Sequence, residues 1–214
     1  MDKNETKACF EATKVVAIIR GMEPDVCVRL SEAYRAGGIR LVEVTFNLAG
    51  DLSATATAIR AVRAALPDMH VGAGTVLSVE QLNMAVAAGA EFMVTPSVDT
   101  AVIRAAAAAG LVTMPGAFTP SEMVTAHAAG ADYVKIFPVR ALGPAYVKDV
   151  LAPLKHLKLV AVGGVSPDNV ADYMAAGCVG VGASGSLVRK DWIAAGEYDK
   201  ITEVARGLVE NAGK

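Results

Sequence analysis

The stretch Ala129-Gly130-Ala131-Asp132-Tyr133-Val134-Lys135-Ile136-Phe137-Pro138 contains one full unit of the fold. An alanine-glycine pair closes a helix, since glycine supplies the left-handed residue at which helices stop. A short apolar run then makes a strand, and proline ends it. Alternation puts Tyr133, Lys135 and Phe137 on one face of that strand and Val134 and Ile136 on the other. Lysine is almost never fully buried without a reason. What its face looks at therefore decides what Lys135 does.

The same unit recurs on both sides. Ala-Gly pairs at 36–37, 88–89, 109–110 and 176–177 again stand just before apolar runs. Strands are predicted over 15–19, 41–46, 70–72, 92–95, 112–115, 133–137, 159–162 and 179–182, each followed by helical spacing. Helix starts are marked too: Ser78 with Gln81 and Thr119 with Glu122 have capping-box form, and Pro120 and Pro167 suit first-turn positions. A further short helix is expected over 3–13.

Eight strands alternating with eight helices mean parallel strands with crossover helices, hence a doubly wound open sheet or a closed barrel. The turn Gly72-Ala73-Gly74-Thr75 lacks the third glycine and the acidic partner of a dinucleotide site. The expectation is a (β/α)8 TIM barrel with a short N-terminal helix, forming a single domain over 1–214.

Composition bounds the partners. A net charge of −2 with 5% aromatics leaves no basic footprint for nucleic acid and no polybasic membrane patch. The mean hydropathy of +0.41 comes from alanine, valine and leucine spread between charges. The longest nearly apolar run, 105–118, is broken by Gly110, Thr113, Pro115 and Gly116 and is too short to span a bilayer. Cys9, Cys27 and Cys178 have no paired spacing, and the charged N-terminus lacks a secretory core segment. A cytoplasmic protein is expected.

In such barrels the active residues lie at the C-terminal ends of strands. Those ends carry Arg20, Glu43 with Thr45, Thr75, Thr95-Pro96, Pro115, Lys135, Gly163-Gly164 and residues 182–186. Leu41, Glu43 and Thr45 share a face, so Glu43 points inward as Lys135 does. The two are either a buried ion pair or an acid/base and nucleophile pair. A lone strand lysine commonly snorkels from an edge. Lys135 differs in being the one lysine of ten inside a predicted strand, facing the one inward acid. An ordinary lysine is neutral in about 0.04% of molecules at pH 7, and lowering its pKa by about 3 units takes roughly 4 kcal/mol. A dry barrel interior supplies that, and Schiff-base chemistry on a carbonyl substrate follows.

The loops Gly163-Gly164 and Gly182-Ala183-Ser184-Gly185-Ser186 offer backbone N–H groups at helix starts, the usual phosphate position of such barrels. A Gly-Gly pair alone is commonly just a tight turn; both loops in one barrel point to a phosphorylated ligand. His70, His127 and His156 are scattered and make neither a metal triad nor a Ser-His-Asp site, so no metal is expected. Arg20 sits where it can clamp a carboxylate or phosphate, whereas Arg140 and Lys148, beyond the lysine strand and near the mouth, read as surface.

The stretches Val16-Ala17-Ile18-Ile19-Arg20, Gly38-Ile39-Arg40-Leu41-Val42-Glu43-Val44-Thr45, Val71-Gly72-Ala73-Gly74-Thr75-Val76, Pro115-Gly116, Val134-Lys135-Ile136-Phe137-Pro138 and Val162-Gly163-Gly164-Val165 together resemble one family. It is the 2-keto-3-deoxy-6-phosphogluconate (KDPG) / 4-hydroxy-2-oxoglutarate (KHG) aldolase family of class I pyruvate aldolases, and the resemblance covers almost the whole chain. It implies a homotrimer of (β/α)8 barrels with no cofactor or metal, acting on a phosphorylated 2-keto acid. Lys135 would be the Schiff-base lysine and Glu43 the general acid/base. Cleavage would give pyruvate and glyceraldehyde 3-phosphate, with 4-hydroxy-2-oxoglutarate as a second substrate. The resemblance also gives Thr75 the pyruvate carboxylate and Gly163, Gly164, Ser184, Gly185 and Ser186 the phosphate, with Pro96 and Phe137 among the substrate contacts.

Two positions depart from the family pattern. Asn47 stands where some members carry an arginine, which passes carboxylate binding to Arg20 or to backbone N–H groups. Gly185 stands where some carry a phosphate-loop serine, leaving Ser184 or Ser186 to substitute. Glu43-Val44-Thr45-Phe46-Asn47 and Gly143-Pro144 also resemble the sister enzymes acting on the 6-phosphogalactonate epimer. A sugar-phosphate isomerase or synthase barrel, with Lys135 only a charge, and a non-catalytic phosphate binder are the competing readings.

Overall fold

The computed structural model describes residues 2–213. Helix α1 (Lys3–Thr13) starts on the Asp2 side chain, which accepts from the Asn4 N–H, and leads into the strands β1 (Val15–Ile19), β2 (Leu41–Thr45), β3 (His70–Gly74), β4 (Phe92–Val94), β5 (Val112–Met114), β6 (Gly116–Ala117), β7 (Val134–Ile136), β8 (Leu159–Val162) and β9 (Gly180–Ala183). All pairs are parallel, in the order β5-β4-β3-β2-β1-β9-β8-β7-β6.

The two ends of that order are halves of one strand. Pro115 has no N–H for the ladder, and past it the Gly116 N–H donates instead to Thr95 Oγ1 at 3.2 Å. On the other side the strand stays bonded to its neighbour: the carbonyls of Thr113, Pro115 and Ala117 accept from the N–H groups of Tyr133, Lys135 and Phe137 at 3.1, 2.9 and 3.1 Å. The barrel is therefore closed, with eight strands as expected. The fifth runs two residues beyond its predicted end.

Helices α2 (Pro24–Ala36), α3 (Leu52–Ala65), α4 (Val79–Ala87), α5 (Thr100–Ala108), α6 (Pro120–Ala128), α7 (Gly143–Leu151) and α8 (Val170–Ala175) make the crossovers, and α9 (Lys190–Ala195) and α10 (Tyr198–Ala212) follow the last strand. Thr119 and Glu122 form a reciprocal capping box with Pro120 in the first turn. Ser78 caps α4, but the Gln81 side chain reaches back to the Leu77 N–H rather than to Ser78. Two sequence marks are corrected. At 36–37 the left-handed residue is Gly38, because Gly37 stays helical where α10 presses on it; a methyl at 37 would stand 2.5 Å from Ala205 Cβ. Pro167 lies in a turn before α8, where the Ser166 carbonyl accepts from Asn169 and Val170.

Inside the barrel, Val16, Ile18, Leu41, Phe92, Val94, Val112, Met114, Tyr133, Val160 and Val162 pack with Phe10 of α1. The outward faces bury a second apolar layer against the helices. Strands β3 and β9 contribute glycines to the interior, and these make room for larger groups: a methyl at Gly72 would run into the Phe92 ring. Helix α1 plugs the bottom. Lys3 and Lys7 bridge to Asp132 at 2.8 and 3.2 Å, and Glu11 accepts from Tyr133 Oη and Lys158 Nζ. The Phe10 ring is fully buried and edge-on to Tyr133, with ring centres 4.8 Å apart. Phe10 is thus barrel-bottom packing, whereas Trp192 lies at the tail, under Arg189. Phe10→Ala is expected to cost about 3–5 kcal/mol, read as a lower urea midpoint at unchanged slope. An unmoved midpoint would show that the plug is not part of the core. No helix among the described residues is long and apolar enough to cross a membrane.

Candidate active site

Alternation along β2 and β7 aims Glu43 and Lys135 inward from opposite sides of the barrel. They are 2% and 5% exposed, which is rare for charged side chains. Both line a small internal cavity of about 10 Å³, bounded by Val16, Ile18, Val94, Met114, Val160, Val162 and Gly182. That is room for about one water. Lys135 also lines the larger cavity above it, about 370 Å³, which opens at the mouth. Its Nζ lies 4.6 Å from the centre of the Phe137 ring.

Burial sets the charge states. It pushes the Lys135 ammonium below the ordinary lysine range; the Glu43 charge opposes this and Arg20 adds to it. Burial likewise raises the Glu43 carboxyl, against the pull of Lys135 and Arg20. Both groups are moved toward their neutral forms. Glu43 Oε2 and Thr45 Oγ1 are buried with no hydrogen-bond partner among the described residues. A buried oxygen without a donor is costly in a packed core, and for Glu43 it leaves Oε2 open to a ligand or a water.

The mouth cavity gathers most of the sequence-predicted residues. Arg20, Phe137, Gly163, Gly164, Ser184, Gly185 and Ser186 all line it beside Lys135. The N–H groups of Gly164, Gly185 and Ser186 donate to no carbonyl among the described residues. These loops are not helix starts, contrary to expectation: α8 begins at Val170, and after β9 the chain makes a turn in which Leu187 and Val188 donate to the Ser184 carbonyl. Ser186 Oγ is spent on the Val165 carbonyl at 3.2 Å, which leaves the Ser184 hydroxyl as the freer of the two.

Thr75 and Pro96 sit at the tops of β3 and β4, outside the lining of that cavity. Thr75 has a φ of +57°, a region a β-branched residue enters at a cost of about 1–3 kcal/mol. Asn47 lines a separate cavity of about 240 Å³ with Thr45, Asp51 and Thr55, so the structure does not bring it to Lys135.

Arg140 is the residue that sequence reasoning placed near the mouth but left as surface. A 3₁₀ turn (Val139–Ala141) follows Pro138, and its Arg140 N–H donates to the Gly163 carbonyl at 3.1 Å. This swings the side chain across Gly164, where an added methyl would stand 2.9 Å from Arg140 Cβ. Arg20, Lys135 and Arg140 line the cavity with no carboxylate among its lining residues. The signal was the Pro138 that redirects the chain two residues before the arginine.

A parallel barrel whose interior holds a lysine and a carboxylate beneath a cationic mouth has the make-up of an aldolase, a carbon–carbon lyase. The chain belongs to the KDPG and KHG aldolase family, whose profile matches residues 6–204. Among its relatives, the 2-dehydro-3-deoxy-6-phosphogalactonate aldolase of Escherichia coli (strain K12) is 38% identical over 177 residues, 82% of this chain and 84% of that one. The KHG/KDPG aldolase of Escherichia coli (strain K12) is 33% identical over 211 residues, 98% of this chain and 97% of that one. The KDPG aldolase from Legionella pneumophila, solved with pyruvate captured at low pH as a covalent carbinolamine intermediate, superposes with a TM-score of 0.84 at 28% identity, covering 94% and 96% of the two chains.

Proposed function

We propose that this protein is a class I aldolase that cleaves a 6-phosphorylated 2-keto-3-deoxy sugar acid to pyruvate and glyceraldehyde 3-phosphate. The observation that carries the reading is the sharing of one interior cavity by Lys135 and Glu43, beneath a mouth lined by Arg20 and Arg140. The neutral Lys135 amine adds to the C2 ketone, and the resulting carbinolamine loses water to give an iminium. Glu43, directly or through one water, takes the C4 hydroxyl proton. The C3–C4 bond then breaks, its electrons pass to the iminium, and glyceraldehyde 3-phosphate leaves. Protonation of the enamine at C3 and addition of water release pyruvate and restore the amine. The carbinolamine in the Legionella pneumophila relative supports the covalent step.

Thr75 is assigned the pyruvate carboxylate, and Arg20 is the alternative clamp for it. Gly163, Gly164, Ser184, Gly185 and Ser186 take the phosphate, with Arg140 supplying charge at that end. Phe137 and Pro96 bound the substrate on the β7 and β4 sides. Between the two C4 epimers, the galactonate is favoured over the gluconate first expected. The 38% identity to the galactonate aldolase over 177 residues, against 33% to the KHG/KDPG aldolase over 211, supports that preference.

The test compares kcat/KM for the two epimeric phosphorylated acids and for 4-hydroxy-2-oxoglutarate, in the wild type and in Arg140→Ala. The phosphorylated acids are expected to be preferred. Arg140→Ala should lower their kcat/KM about ten- to hundredfold, the worth of a charge-assisted contact, and leave 4-hydroxy-2-oxoglutarate unchanged. Equal losses on all three substrates would remove Arg140 from the phosphate end. Absence of pyruvate from every substrate would refute the reading as a whole.

A further inference from the structure

The inward glycines of β3 and β9 do different work. Methyls at Gly72, Gly180 and Gly182 would meet the Phe92 ring, the Phe10 ring with the Lys14 carbonyl, and the Val162 and Ile18 side chains, none of them a reacting group. A methyl at Gly74 would fall inside the Glu43 carboxyl group, 2.6 Å even from Cγ. Gly74 is not among the glycines with positive φ, so its own backbone does not demand glycine. The strand cannot retreat either, because the Gly74 carbonyl accepts from the Phe46 N–H at 2.8 Å and Gly74 is in register with Thr45. The demand for a bare Cα comes from the carboxyl lying against it.

From this we infer that Gly74 is a positioning residue for the lyase reaction. Its missing side chain forms the slot in which the Glu43 carboxyl lies, and so fixes where Glu43 exchanges protons. The carboxyl reaches from β2 to the bare Cα of Gly74 on β3, Oε1 nearest, with Oε2 free of protein donors among the described residues. A slot walled by backbone holds such a group without spending its lone pairs, which stay available to the substrate and to water. This rests on the reading of Glu43 as the general acid/base.

Gly74→Ala should displace a flexible side-chain end rather than the backbone, so the variant is expected to fold. It should still trap pyruvate on Lys135 with borohydride. The kcat should fall about 100-fold or more with KM little changed, the scale of a misplaced reacting group. The limb of the kcat pH profile that Glu43 carries should also move. The deciding comparison is a double-mutant cycle. In Glu43→Ala no carboxyl occupies the slot, and adding Gly74→Ala should cost no more than about twofold. Gly72→Ala, whose methyl meets the Phe92 ring first, serves as the control for a packing defect.

Wild-type kcat in Gly74→Ala overturns the inference. So does an equal loss from Gly74→Ala in the wild-type and Glu43→Ala backgrounds. Should Gly74→Ala fail to fold, the Glu43→Ala/Gly74→Ala double variant must recover folding, and its failure to do so refutes the slot. If Glu43→Ala itself keeps wild-type turnover, it is the assignment of Glu43 that fails. If Glu43→Ala is slow and Gly74→Ala is not, only the role of Gly74 is lost.

Discussion

Lys135→Arg loses turnover by at least about 10⁴-fold and no longer gains pyruvate mass on borohydride reduction, although it keeps a positive charge in the same place. Guanidinium is not a usable nucleophile, so the substitution separates an amine that attacks from a cation that merely binds. Intact-mass spectrometry with peptide mapping reads the result directly. Substantial turnover in Lys135→Arg would favour an isomerase or synthase barrel that uses the lysine as a charge. The wild-type trapping rate carries a second signature. Because burial lowers the Lys135 pKa, the rate should climb with pH and flatten before the ordinary lysine range of about 10.4. A climb that continues to that range would contradict the geometry.

The depression has a stability counterpart of fixed sign. A lysine whose folded pKa lies below its unfolded one costs stability at any pH below the folded value. That cost fades as pH rises toward the ordinary lysine range, since between the two values the unfolded chain binds more protons.

Glu43→Gln gives the second large effect, a kcat loss of about 10²–10⁴-fold, the usual range for a general acid/base. Pyruvate trapping survives, more slowly. The pH dependence then shifts in a direction the charges decide. The Glu43 charge raises the Lys135 pKa, so removing it lets burial and Arg20 lower that pKa further. The trapping plateau should begin at lower pH in Glu43→Gln than in the wild type. A shift to higher pH, or unchanged kcat, would show that Glu43 does not act beside Lys135.

Much of this site was legible because strands alternate. Given parallel strands, the parity of Glu43 along β2 and of Lys135 along β7 places both inside, and 2% and 5% exposure is the outcome. The glycine loops after β8 and β9 were legible for a similar reason, since barrel strand ends meet at one mouth. Parity could not show that these loops end short of any helix, or that Asn47 turns into a different cavity. Loop paths follow from contacts distant in sequence. Arg140 was passed over on the same ground: its place in the cavity depends on the Gly163 carbonyl, which belongs to the next strand's loop.

The sequence by itself determined the alternation of strand and helix, the inward pair Lys135 and Glu43, and the family, because these rest on periodicity and on local runs of residues. Only the tertiary structure decided that the barrel closes through Pro115, that Phe10 plugs its floor, and that the Glu43 carboxyl lies on the bare Cα of Gly74. Each of these joins residues far apart in the chain. Period and propensity carry no information about such distances, and close packing fixes them.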